Sequence, residues 1–218
     1  MSDGIQGDEP VTKVNIGRLT NAIFAFTLLL LFKNIKTPSF NDYVQNATSE
    51  QFGLMQFSEI VGFVNAFIII SLIWMVTFHI FHQMRKVDRH YIYLHFFLLM
   101  MVIFIPINSH LYEIFNGDSP FSFFFHLNML IIGILLMREW QYASRHPGLL
   151  QEVKPERAGN VSRKMYYIPA TACIGILLSV YGLSSTRDLY YLTIIAFLID
   201  SWIIERKDFS ILPGRGRP

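Results

Sequence analysis

Seven histidines, one cysteine and a few charges inside apolar runs are the side chains of this 218-residue chain with the means to do chemistry. His79 and His82 stand one helical turn apart, a spacing at which two imidazoles share a face and could ligate a haem or a metal, or pass a proton. Both lie just before Arg85, however, and His110 and His126 fall near the opposite ends of their own runs. Two ligand pairs at matched depth are not evident. The expectation is interfacial or hydrogen-bonded histidines, with no metal and no cofactor. Asp200 and Glu205 close the last apolar run, where a carboxylate reaches the interface or pairs with an arginine. Arg18 is the partner expected for Asp200 in a structural pair, and a proton-carrying Asp200 is the competing reading. Cys173 reads as packing, and a single cysteine excludes a disulfide framework. The chain has no nucleotide-binding loop, nucleophile elbow or paired-carboxylate motif, so an enzyme is not expected.

A second set of polar groups sits in one stretch, Gly17 to Ile35, long enough to cross a bilayer as a helix. Arg18, Asn21 and Ala22, Ala25 and Phe26, Leu29 and Leu30, and Lys33 follow the three-and-four spacing of a single stripe. Thr20 and Thr27 lie off it, as do Leu19, Ile23, Leu28 and Leu31. Polar atoms cannot hydrogen-bond to hydrocarbon, so the stripe should face protein or water and the helix should be central. The residues alone favour a buried helix packing small and polar side chains against its neighbours; a helix lining a path is the alternative.

The elements that must carry these residues are membrane spans. The chain is 52% apolar, 15% aromatic and only 16% charged, which predicts an all-α integral membrane protein. A net charge of +2, from scattered Lys and Arg, excludes a nucleic-acid binder. Residues 1–16 are acidic and polar; they do not fit a cleavable signal peptide and are expected to be a disordered tail. Six transmembrane helices are predicted within 17–204, followed by a basic tail at 205–218. After the first span come Glu59 to His82, Tyr91 to Leu111 with Pro106 near its end, and Phe121 to Met137, stopped by Arg138, Glu139 and Trp140. Asn41 to Gly53 is a polar loop, Asn116-Gly117-Asp118 a tight turn, and Tyr142 to Lys164 a longer polar segment. Met165 to Leu183 and Leu189 to Ile204 complete the set. Tyr166, Tyr167, Tyr190, Tyr191, Trp140 and Trp202 read as aromatic-belt residues without chemistry. With both termini cytoplasmic, fifteen of the 18 Lys and Arg residues fall on that side and three on the other, which sets the orientation in a cell (plasma) membrane, the inner membrane if the source is bacterial.

The order of features resembles the six-helix bacterial members of the transmembrane protein 175 family, whose animal relative is the endolysosomal potassium channel. Leu19-Thr20-Asn21-Ala22-Ile23-Phe24-Ala25-Phe26, then Leu30-Leu31, Asn34-Ile35 and Pro38, follow the family's first-helix pattern without a gap. Ala66-Phe67, Trp74 and Asp88, then Phe97-Leu98-Leu99 to Pro106, Asn128, and Pro169 after Arg163 extend the match from about Ile16 to Ile204. Departures are equally clear. The family's first-helix arginine, phenylalanine, serine and aspartate fall on Asn15, Leu19, Thr20 and Asn21, with Arg18 the possible stand-in for the arginine. Its tandem second-helix histidines fall on Thr77 and Phe78, with His79 and His82 close by.

What the resemblance implies is a tetramer of identical chains in the lipid bilayer, the first helix around the axis, passing monovalent cations, potassium foremost, without a cofactor. By position, Phe26 and Leu30 would form a hydrophobic constriction, Leu29 and Lys33 the outer mouth, and Arg18, Thr20 and Asn21 the inner end of the helix. Trp74, His79 and His82 would supply the second-helix motif. With that resemblance the pore-lining reading of the stripe becomes the better one. Lys33 conflicts with a cation pore, since ammonium groups around one axis repel each other and a cation by on the order of 1 kcal/mol per pair at about 4 Å even in bulk water. The lysine must snorkel outward, be partly neutralised, or mark a member that passes cations poorly. A non-conducting membrane interaction protein keeping the channel fold is therefore the alternative, and a His-ligated membrane oxidoreductase a third.

Overall fold

The computed structural model describes residues 13–33, 49–115, 117–146, 148–151, 159, 162–183 and 186–210. The expected tails at 1–12 and 211–218, the loop at 34–48 and the segment 152–158 lie outside the described residues. Among the described residues the fold has six α-helices: α1 (Lys13–Lys33), α2 (Ser49–Gln83), α3 (Arg89–Ile114), α4 (Ser119–Arg145), α5 (Tyr167–Val180) and α6 (Leu189–Ser210). A short 3-10 turn, Thr186–Asp188, joins the last two. Among the described residues, extended pairing is limited to one antiparallel bridge between Met84 and Leu150.

Among the described residues, four segments are long and apolar enough to cross a membrane: Lys13–Lys33, Glu59–Gln83, Arg89–Ile114 and Pro120–Arg145. With 14 residues, α5 is shorter; the helical residues 162–165 just before it extend the same run. An aqueous core cannot account for this arrangement, because Leu29, Phe32, Leu177, Val180 and Leu192 are apolar and all exposed.

The packing centres on α4, which lies against α3 on one side and α5 on the other. Close approach to α5 depends on small residues. A Cβ on Gly133 would come within 2.6 Å of the Pro169 ring, and one on Gly175 would strike the His126 imidazole. The helix α1 rests on α3 and α2, while α6 rests on α5 and touches α2. At the start of α3, Asp88 caps the helix by accepting from the Tyr91 amide at 2.8 Å. Pro106 removes the amide that would serve the Val102 carbonyl, and one residue earlier Asn128 donates to the Met101 carbonyl at 3.3 Å.

Element boundaries depart from expectation at several ends. The helix α1 begins at Lys13 and buries Ile16, so the end of the expected tail is helical. The helix α2 begins at Ser49, inside the expected polar loop. The fourth span does not stop at Arg138: α4 runs on to Arg145, because Glu139 and Trp140 are buried against other helices. Similarly, α6 continues past Ile204 to Ser210, into the expected basic tail.

Candidate functional site

The α1 helix divides cleanly into two faces. Ile16, Thr20, Phe24, Thr27 and Leu31 are buried on α2 and α3. Arg18, Asn21, Ala22, Ala25, Phe26, Leu29 and Lys33 are exposed, with Phe26 at 52% and Leu29 at 66%. Leu30 is half-buried at the edge of that face. Within one protomer, then, α1 is not central. It lies at the margin of the bundle, and most of its stripe is exposed, not buried against neighbouring helices of the same chain, which overturns the buried-helix reading.

The two motif helices do meet. The Trp74 indole on α2 donates to the Asn21 side-chain oxygen at 3.0 Å. Below it, Trp74, Phe78 and His82 stack in a ladder, with ring centroids 5.5 and 6.3 Å apart. His79 is exposed on the same helix. Among the described residues, no group of three or more His, Cys, Asp or Glu side chains is placed to hold a metal.

The buried face of α1 is held by a polar chain that the sequence reading missed. Thr20 Oγ1 lies 2.8 Å from His95 Nε2 on α3, and His95 Nδ1 lies 3.0 Å from Glu139 Oε1 on α4. The Tyr91 hydroxyl donates to Glu139 Oε2 at 3.1 Å. Both side chains of the His95–Glu139 pair are 0% exposed. The available signal was the four-residue spacing of Tyr91 and His95, which puts them on one face of α3. Glu139 was read as the end of a span when it is a buried partner.

At the same end, Asp88, between α2 and α3, accepts from Tyr142, whose ring lies tilted against His90 and His146. Burial works against ionisation, but the Tyr142 hydroxyl, the Tyr91 amide and the nearby His146 and His90 rings hold the Asp88 carboxyl below its ordinary value.

A second polar chain occupies the opposite end of α4. Ser122 Oγ lies 2.6 Å from Ser179 Oγ and 2.7 Å from Thr186 Oγ1. His126 Nε2 reaches Thr186 Oγ1 at 2.8 Å and His126 Nδ1 reaches the Tyr190 hydroxyl at 3.2 Å. Beside it, Arg187 bonds Glu113 at 2.8 Å and Ser109 at 3.3 Å, with its guanidinium over the Tyr112 ring.

Several expectations are corrected here. Asp200 pairs with Arg163 and not with Arg18, because α6 packs beside the start of α5 and away from the exposed side of α1. Tyr190 is buried against His126, and the buried Trp140 donates to Ser162 at 2.7 Å, so neither is an aromatic-belt residue. Cys173 is exposed on α5, where packing was expected.

Residues 15–106 match the model of the family described as endosomal/lysosomal potassium channel TMEM175. No curated protein matches the chain significantly. The fold is similar to the crystal structure of a lysosomal potassium-selective channel TMEM175 homolog from Chamaesiphon minutus. The TM-score is 0.66 at 19% identity, over 89% of this chain and 97% of that one. The matched segment holds both motif helices and the Asn21–Trp74 bond between them, and the fold likeness extends over the remaining helices: the chain is similar to the TMEM175 family over its first three helices and has the fold of that TMEM175 homolog.

Proposed function

We propose that copies of this chain assemble around the exposed α1 face into a passive membrane channel for monovalent cations, potassium foremost. One observation carries the reading: the stripe of Arg18, Asn21, Ala22, Ala25, Phe26, Leu29 and Lys33 is exposed on its own protomer. A lipid-facing helix has no use for that polar content, whereas a face shared with other copies, or with water, does. The match of residues 15–106 to a potassium-channel family model supports the ion class. Four copies are proposed on the resemblance alone.

In this reading Phe26 and Leu30 form a hydrophobic constriction that closes by dewetting. Leu29 and Lys33 shape the outer mouth, and Arg18 and Asn21 hold the inner end, with Trp74 fixing Asn21 from behind. The exposed Lys33 favours a second reading, a relative that keeps the fold and conducts poorly.

Purified protein in liposomes under a potassium gradient tests both. The expected result is valinomycin-independent flux that rises in K33L, where a ring of charge is lost, and in F26A, where the constriction widens. Equal background flux in the wild type and both variants would overturn the channel.

A further inference from the structure

We infer that His95 and Glu139 form a buried dyad that retains one shared proton, and that the dyad positions α1 through a bond donated by His95 Nε2–H to Thr20. The effect on conduction rests on the channel reading; the protonation state does not.

Proton counting around Thr20 leads to this result. Its hydroxyl has one hydrogen and lies 2.8 Å from the Ile16 carbonyl, which only accepts. The same oxygen lies 2.8 Å from His95 Nε2, so the hydrogen in that second bond must come from the ring. On the far side, Nδ1 is 3.0 Å from Glu139 Oε1, while Glu139 Oε2 already accepts from Tyr91. With Nε2 protonated, the Nδ1–Oε1 link closes in two ways. An imidazolium donates to a carboxylate, or a neutral ring accepts from a carboxylic acid. Both arrangements hold the same number of protons and have zero net charge.

Removing that proton leaves one negative charge among side chains with no exposure, which is the costly state for a buried group. It also strips hydrogen from one ring nitrogen. If the one remaining ring proton sits on Nδ1, facing Glu139, Nε2 is bare and Thr20 must abandon the Ile16 carbonyl to donate to it.

The groups facing His95 come from four helices. They are Thr20 on α1, the Phe81 ring on α2 at 4.8 Å, the Tyr91 ring stacked at 5.8 Å on α3, and Glu139 on α4. Of the α1 cations nearby, Arg18 is exposed and Lys13 donates to the Met84 carbonyl. The group that can share a proton with Glu139 is therefore His95 itself.

The test is nitrogen NMR on the full chain labelled at histidine, with His95 assigned by its loss in H95Q. A protonated Nε2 at neutral pH is expected, and a bare Nε2 there would overturn the dyad. In E139Q the amide donates to Nδ1 and its oxygen accepts from Tyr91, so Nε2–H should persist with no proton to lose. For the positioning role, liposome flux should change several-fold in T20V, nearly isosteric but without an acceptor, and be closer to wild type in E139Q than in E139A. Wild-type flux in T20V would overturn that role. If the wild type carries no flux while Nε2 keeps its proton, the channel falls and the dyad stands; normal flux with a bare Nε2 gives the reverse.

Discussion

Two buried polar chains grip α4 at opposite ends, and they are built from different chemistry. Near its start, Ser122 and His126 join Ser179, Thr186 and Tyr190 through hydroxyl bonds. Near its end, Glu139 binds His95 and Tyr91 and, through His95, Thr20. The first chain ties α4 to α5 and to the start of α6, helices that already pack closely over Gly133 and Gly175. The second reaches α1, the helix whose other face is exposed. Neutral hydroxyls suffice where apolar packing fixes the geometry. An ionisable pair is placed where a marginal helix needs a directional hold.

That contrast can be broken by experiment. The largest effect should come from E139A, which leaves His95 and Tyr91 buried without their acceptor; the expected loss is about 3–5 kcal/mol of stability, read as a lowered thermal midpoint in detergent. The hydroxyl chain should be more forgiving. S122A removes one shared hydroxyl and should cost about 1 kcal/mol by the same measurement, so an equal loss in both variants would erase the distinction.

The smallest effect belongs to the contact that Asp88, between α2 and α3, makes with Tyr142. Because the Asp88 value lies below its ordinary 3.8 when folded, its contribution is complete above that pH and fades as the pH falls through the lowered value. D88N should therefore cost under about 1 kcal/mol near neutrality, since asparagine still caps α3, and should flatten the acid limb of the stability curve. A steeper acid limb in D88N would count against the contact.

How much was legible in the sequence varied with the kind of interaction. The α1 stripe was readable because helical periodicity maps spacing onto a face. Its partner was less so: that Asn21 would meet Trp74 follows from packing α1 on α2, which no local pattern encodes. Glu139 was misread because a charge at the end of an apolar run ordinarily marks the interface, whereas here the side chain is buried against a histidine on α3, 3.0 Å away. Asp200 was assigned to Arg18 on depth alone. Depth is readable from position in a span, but the neighbour that supplies Arg163 depends on which helices sit side by side.

The sequence by itself determined that this chain lies in a membrane, that its helices follow in the order found, and that α1 bears a polar stripe. Composition and periodicity are local properties, and bilayer thickness turns them into spans. Only the tertiary structure decided which way the stripe points and which buried groups hold it there. Those outcomes depend on contacts between residues as far apart as Thr20, His95 and Glu139, whose pairing is set by how the helices pack.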